Sequence, residues 1–519
     1  MIIITSSAYL SAEFQVELGA IPPTFLPLGN KKLLEHQVMT LRQFYDDQIT
    51  LTLPESFEIT EILQKQIDRL EIEVIQVPDQ FSLSEAILYT LNVSTTEDEK
   101  PVRILYGDTY IADFSFAEVS DDLIAIAKVK NSYNWEYVDT ILHQDNLVWC
   151  GYFSFSHKSL LLKSLALVRD HFNEAVKYYA KQCNVAYGMT EHWQDLGHIN
   201  TYFAARANLT TQRAFNTLQI ENGVVTKSGE PTRKIAAEAH WFEAIPKHLR
   251  IFTPLYLGES TLNGKLGYSL EYLSSMPLNE LFVHGQNQVQ DWQVIFDEVK
   301  RWFALSSSEN VAIPAEITAE YQRLIAEKTD ERIAQFAKES GISLDLPTYY
   351  AGKKLPSIRE ICREAIEATL KLPSRLGILH GDLCFSNMLF DSRGLRLKLI
   401  DPRGLDSAGN FTLYGDLKYD YAKLTHSVIG LYDFIISGDF LIENAGTSEV
   451  LLHFDIDDRI AEIQALFAKI SFLKGVTLQD ILPGVILLFF SMLPLHNDRP
   501  DRQDAMLLNA FRLYYLYLK

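Results

Sequence analysis

The chain is poor in cysteine and in positive charge. Its four cysteines, Cys150, Cys183, Cys362 and Cys384, stand far apart and match no metal-ligand or redox spacing. A disulfide framework is therefore not expected, and the plain reading is reduced thiols in a cytoplasmic protein. Lys and Arg number 47 against 67 Asp and Glu, a net charge of −20. Phosphate backbones are bound by a surplus of cations, so nucleic acid is not an expected partner, whereas a small anion needs only a local site. Repeats and low-complexity tracts are also missing, and 47% apolar with 22% charged residues is ordinary globular content. The opening MIIITSSAYL has no basic segment and too short an apolar run for a signal peptide. The most apolar stretch, Ile481 to Leu495, holds Pro483 and Gly484 and falls short of a membrane span, so a buried helix is expected there. At 519 residues the chain is too long for one ordinary core, and two or three domains are expected.

What is present concentrates between Leu376 and Gly404. His380, Gly381 and Asp382 lie on a loop, Asn387 follows five residues after the Asp, and an apolar strand beyond a Ser392-Arg393-Gly394 turn ends at Asp401. Phosphoryl transfer from ATP needs such a set. One carboxylate orients and deprotonates an attacking hydroxyl, while an amide oxygen and a second carboxylate hold Mg²⁺ on the nucleotide phosphates. Asp382 suits the first role, and Asn387 with Asp401 the second. Two surface turns would also be rich in Asp and Asn, but they would not impose this order and spacing together. Cys384, inside the loop, reads as a small buried side chain rather than a nucleophile.

This segment resembles the catalytic and metal-binding loops of the aminoglycoside phosphotransferase and choline kinase superfamily, which has His-Gly-Asp where protein kinases have His-Arg-Asp. Tyr414-Gly415-Asp416 followed by Tyr419-Asp420-Tyr421-Ala422 is similar to that family's Gly-Asp-Pro and Tyr-Asp-Leu-Ala segment, with Leu417 in place of the Pro. The resemblance implies an α+β, protein-kinase-like bilobal domain, with an N-lobe over 206–285 and a helical C-lobe over 286–519. Phe215 to Ile220 and Val224 to Lys227, around Glu221-Asn222-Gly223, read as a hairpin, and Arg233 to Ile245 reads as a helix. Lys227 is then the strand Lys that binds the ATP phosphates and Glu238 the helix residue that holds it, with Lys234 the competing Lys. No Gly-rich phosphate cover is evident, and Arg213 stands where relatives carry a Gly-containing turn. Glu271 and Tyr272, in the hinge-like segment Gly267 to Leu278, would offer backbone groups to adenine. Residues 287–375 are expected to be mostly helical. Arg403 is read as meeting a phosphate or anionic substrate or, with equal weight, as an ion pair with Asp406 or Asp416; Asp416 joins it as a substrate-binding candidate. His496, Asp498, Arg499 and Arg502 near the end read as a capped loop with surface ion pairs rather than a wall of the acceptor pocket.

Residues 1–205 read differently. Met1 to Ile4 is a buried strand entering a Thr5-Ser6-Ser7 loop, Leu28-Gly29-Asn30 a turn, and Leu33 onward a helix. Arg103 to Ile111 reads as a strand that ends at Gly107-Asp108. With Val148 to Ser154 and Trp193 to Ala204, this layout resembles the sugar-phosphate nucleotidyltransferases. That resemblance implies an α/β, Rossmann-like domain with a GT-A-like mixed sheet, a sugar site along Val148 to Ser154, and Mg²⁺ held by Asp108 and Asp195. The family's Gly-x-Gly-x-Arg loop is replaced here by Ser, Ala, Glu and Gln. Thr24 stands where a Lys follows the Pro, and no Lys or Arg precedes Lys31. A turn residue for Asp108 and a helix cap for Asp195 are the competing readings.

The first expectation is thus a bifunctional enzyme of activated-sugar biosynthesis. An ATP- and Mg²⁺-dependent kinase would phosphorylate a sugar hydroxyl, the anomeric one being a candidate. A nucleotidyltransferase would then couple the sugar phosphate to a second NTP (CTP, UTP or GTP), giving an NDP-sugar for capsule or another surface polysaccharide. A second reading keeps the kinase and makes the N-terminal domain a non-catalytic binding or dimerising module, for which the missing basic loop speaks; homo-oligomerisation is left open. A third makes the substrate choline or an aminoglycoside, with Tyr and Phe near 414–434 caging an amine. A dead scaffold is hard to square with Asp382, Asn387 and Asp401.

Overall fold

The protein is described here from a computed structural model, which covers residues 1–94, 100–130, 133–138, 146–209, 216–308 and 312–518. The chain forms two compact units, Met1–Thr210 with His284–Gln286, and Thr211–Val283 with Asn287–Lys519.

Unit 1 is α/β. A strand whose two faces are both covered must be apolar at every position, because successive side chains point opposite ways. Strand Ile2–Thr5 meets this demand: Ile2 and Ile4 enter one hydrophobic cluster, Met1 and Ile3 the other. It sits inside a seven-stranded mixed sheet in the order Ala186–Met189, Leu123–Lys128, Leu147–Phe155, Val102–Tyr106, Ile2–Thr5, Ile49–Pro54, Glu73–Val77. Strand Leu147–Phe155 runs antiparallel to both neighbours, and the other pairings are parallel. Strand Ile2–Thr5 has its successor Ile49–Pro54 on one side and Val102–Tyr106 on the other. The loops leaving the carboxyl ends of Ile2–Thr5 and Val102–Tyr106 therefore diverge at a switch point, where α/β sheets place their ligands. The Gly107 N–H donates to the Thr5 carbonyl at 2.8 Å, and a side chain at 107 would strike that carbonyl.

Unit 2 begins with a four-stranded antiparallel sheet in the order Asn216–Glu221, Val224–Gly229, Lys265–Glu271, Tyr256–Leu262. Helix Thr232–Ala244 packs on it, burying Ile235, Glu238, Trp241 and Phe242. A helical layer follows. Helix Leu478–Met492 is its axis, contacting Lys328–Ser340, Ile358–Leu370, Lys418–Val428 and Pro500–Leu513, and it is buried from Ile481 to Met492. With the short turn after it, Leu478–His496 is long and apolar enough to cross a membrane by length and composition, but 78% of that window is buried inside the protein. The stretch expected to be mostly helical also contains the ribbon Pro347–Tyr350 and Lys353–Ser357. Its turn, Ala351-Gly352, has both residues at positive φ, a local signal that helical periodicity hides.

Candidate active site

Hairpin Met388–Asp391 and Arg396–Leu399 builds the centre of unit 2. Its first strand leaves Asn387 and its second runs into Ile400-Asp401. The Ile400 N–H donates to the Asn387 carbonyl at 3.0 Å, so the metal-ligand candidates Asn387 and Asp401 lie side by side at the open end. The Asn387 amide nitrogen donates to the Asp382 carbonyl at 2.9 Å and to its carboxylate at 3.1 Å, which turns the amide oxygen the other way. One amide oxygen and one carboxylate fit Mg²⁺, which keeps several waters and takes its remaining ligands from phosphates. Among the described residues no group of three or more His, Cys, Asp or Glu forms a metal site. Asp401 has φ +56, a left-handed conformation that non-glycine residues rarely adopt outside turns and functional sites.

Lys227 reaches this point from the sheet. Its Nζ lies 2.6 Å from Glu238 Oε2 and 3.0 Å from Asp401 Oδ1, and the Tyr268 hydroxyl donates to the same Glu238 oxygen at 2.8 Å. Burial disfavours the Lys227 charge, but Asp401 and Glu238 outweigh it and hold the ammonium protonated. Lys234 is half exposed, 3.9 Å from Glu238. Two contacts fix the helix that carries Glu238 to the loops: Trp241 Nε1 donates to the Leu379 carbonyl at 2.9 Å, and Gly404 packs so closely on the Ala237 carbonyl that a Cβ would overlap it.

The carboxylate of Asp382, 40% exposed, accepts from Lys423 Nζ at 2.9 Å. Burial would raise its pKa, but Lys423, Arg403 and His380 hold it well below the usual carboxylate range. His380 Nε2 donates to the Ile400 carbonyl and Nδ1 accepts from the Asp382 N–H, so its tautomer follows from its partners. Burial pushes its pKa down to about 4. The His380 and Gly381 N–H groups both donate to the Asp420 carboxylate at 2.8 Å, while burial pushes that carboxyl up to about 7. Asp420 thus holds the loop as a clamp. Position 381 needs glycine: φ is +82, and a Cβ would lie 2.7 Å from Arg403 Cβ. Sequence reasoning noted Asp420 only as part of a motif and missed Lys423, four residues after Tyr419. A cation inside the otherwise buried helix Lys418–Val428 was the available signal.

Other candidates lie apart from these expectations. The N–H of Glu271 donates to the Leu255 carbonyl and that of Tyr272 to the Gly223 carbonyl, so both backbone donors are used within the protein. Arg403 pairs with neither Asp406 nor Asp416. It donates to the Tyr419 hydroxyl at 2.8 Å and stacks 4.6 Å over that ring. Asp416 is buried, accepting from the Arg375 and Lys418 N–H groups with Lys418 Nζ at 3.4 Å. That makes it a strand-to-helix tie. Arg213 lies outside the described residues. Near the end, Arg499 pairs with Asp501 at 2.7 Å, and Arg502 donates to the Ile436 carbonyl.

In unit 1, strand Trp193–Asp195 pairs with Thr109–Ile111, Asp195 opposite Thr109. Leu196 N–H donates to the Asp108 carbonyl, and both carboxylates lie against Gly197, Asp108 the closer. Burial and the Asp195 charge push the Asp108 carboxyl up to about 6. Asp195 is richly supplied with donors: Trp135 Nε1 at 3.1 Å, His198 Nδ1 at 2.7 Å, Thr201 Oγ1 at 2.9 Å and Gly197 N–H at 3.0 Å. No Lys or Arg bonds either carboxylate among the described residues. Where the resemblance would place a triphosphate loop, helix Ala12–Leu18 forms instead. The expected Lys position holds Thr24, buried, its N–H on Ser6 Oγ and its hydroxyl on Gln37.

No protein-family model matches the sequence, and no curated protein matches it. Solved structures similar to part of the chain include the nucleoside-diphosphate-sugar pyrophosphorylase from Vibrio cholerae RC9, 14% identical, covering 39% of this chain and 98% of that one at a TM-score of 0.33. HddC from Yersinia pseudotuberculosis is 15% identical, with coverage of 40% and 99% and a TM-score of 0.32. The inositol-1-phosphate CTP transferase from T. maritima is 12% identical, with coverage of 41% and 97% and a TM-score of 0.31.

Proposed function

We propose that unit 2 is a kinase-like, ATP-dependent phosphotransferase acting on a hydroxyl of a sugar-like small molecule, and that unit 1 couples a sugar phosphate to a nucleotide. The observation that carries the first half is Lys227 bridging Glu238 and Asp401, while Asn387 joins Asp401 to Asp382. In this reading Lys227 steadies the ATP phosphates, and Asp382 orients the acceptor hydroxyl and takes its proton as the γ-phosphoryl group transfers. Mg²⁺, held by Asp401 and the Asn387 amide oxygen, would neutralise charge on the phosphates. His380 stays neutral and keeps the loop shaped rather than carrying protons.

The second half rests on the adjoining carboxylates of Asp108 and Asp195. A competing reading, unit 1 as a non-catalytic module, is favoured by the crowded donors on Asp195 and the buried Thr24 in place of a cation. Following ADP and pyrophosphate separately, with a sugar panel and each NTP, tests both. Asp382→Ala is expected to abolish ADP release alone and Asp108→Ala pyrophosphate release alone. ADP without pyrophosphate for every NTP would leave unit 1 as a module, and ADP release surviving Asp382→Ala would remove the first assignment.

A further inference from the structure

Beside Asp382, unit 2 gathers more positive charge than phosphoryl transfer from ATP uses. Arg403 is stacked on Tyr419 and Lys423 sits on Asp382. Helix Lys328–Ser340 adds Lys328 and Arg332, four residues apart and so on one face. The charges of all four act on one another or on Tyr419. Burial would raise the Tyr419 phenol, yet Arg403, Lys423 and Lys328 pull it below its usual value.

Acidic compensation is thin. Only Lys423 has a carboxylate within ion-pair distance among the described residues, and that carboxylate is Asp382. Arg332 donates to the Ser491 carbonyl at 2.8 Å and feels the Glu331 charge, and Asp420 accepts from backbone N–H groups. In a chain of net charge −20, Lys328 and Arg332 are half-buried with no carboxylate within ion-pair distance among the described residues, which opposes folding, and a bound anion would offset that cost. The nucleotide phosphates already have a cation of their own in this reading, Lys227, held in place by Asp401 and Glu238.

We infer that the phosphoryl acceptor is itself an anion, a phosphomonoester or carboxylate of a sugar or polyol, its acidic group held by Lys328, Arg332 and Arg403 while one of its hydroxyls reaches Asp382. This rests on the phosphotransferase reading of Asp382. The acceptor oxygen bonds to the γ-phosphorus of ATP, the bond from that phosphorus to the β–γ bridging oxygen breaks, ADP leaves, and the hydroxyl proton passes to Asp382.

Calorimetric titration of the full chain with a hexose monophosphate, a hexuronate and the neutral hexose, each with and without Mg²⁺ and a non-hydrolysable ATP analogue, tests it. One acidic probe at least is expected to bind about tenfold or more tighter than the hexose, and the tighter of the two identifies the acid. Lys328→Met and Arg332→Gln should each weaken that probe by about tenfold, a loss of one charged hydrogen bond. A cooperative melt checks that the variants fold. Equal binding of hexose and acids, or acid binding indifferent to both substitutions, overturns the inference. Failure of the ATP analogue to bind, with acid binding intact, would instead overturn the phosphotransferase reading.

Discussion

The two units each bring acidic side chains together, and they differ in what surrounds them. In unit 2 every carboxylate at the centre has a cation or a fixed N–H: Asp382 has Lys423, Asp401 and Glu238 share Lys227, Asp420 holds two backbone amides. In unit 1, Asp108 and Asp195 face each other with, among the described residues, His198 and neutral donors only. The same residue type is therefore shifted in opposite directions: Asp382 is held below the usual carboxylate range and Asp108 is pushed up to about 6. A pair of carboxylates on strand ends defines a place for a cation. The counter-charges around it decide whether the site is already ionised and preorganised.

The largest test of this contrast is Asp382→Ala, for which ADP release measured by chromatography should fall about 10³-fold, within the usual span for a general base. Lys227→Met comes next. It leaves buried Glu238 and partly exposed Asp401 without their shared cation, and denaturant titration should show the unit 2 transition destabilised by about 3 kcal/mol. Asp195→Asn in unit 1 removes no cation pair and should cost about 1–2 kcal/mol. Equal losses would break the comparison. Also smaller than Lys227→Met is Gly381→Ala, which must hold φ +82 and meet Arg403 Cβ at 2.7 Å. About 1–3 kcal/mol of strain is expected, with ADP release slowed because Asp382 is displaced.

How much of this was legible depended on distance along the chain. Asp382, Asn387 and Asp401 could be read because one hairpin brings them together, so spacing alone encodes their meeting. Lys227 and Glu238 were readable for a similar reason, a strand followed directly by a helix. The doubly buried strand at Met1 to Ile4 announced itself by lacking alternation. Lys328 and Arg332 were not legible, because the cations of their helix look in sequence like any solvated face, whereas Lys423 stands in a largely buried helix where a cation is itself a signal. For Glu271 and Tyr272, pairing within unit 2, which no local pattern states, decides which of their backbone groups are already used. Asp416 stood inside a motif, but burial beside Lys418 gives it a structural tie.

The finest test concerns Asp108. Its carboxyl titrates at about 6 in the folded protein against an ordinary value of 3.8. Between those pH values the unfolded chain has released the proton while the folded chain keeps it. Stability therefore falls as pH rises through that window, and the loss is complete above it. Asp108→Asn removes the titration, so the variant should melt higher than the parent at pH 7 to 8, with the difference vanishing near pH 4. Mg²⁺ supplies the discriminating arm. A cation bound between Asp108 and Asp195 would favour the ionised form, raising the parent's melting temperature at pH 7 and leaving the Asn variant unmoved. A parent indifferent to Mg²⁺, with the pH slope present, would mark the pair as a structural contact and make unit 1 the passive partner of unit 2.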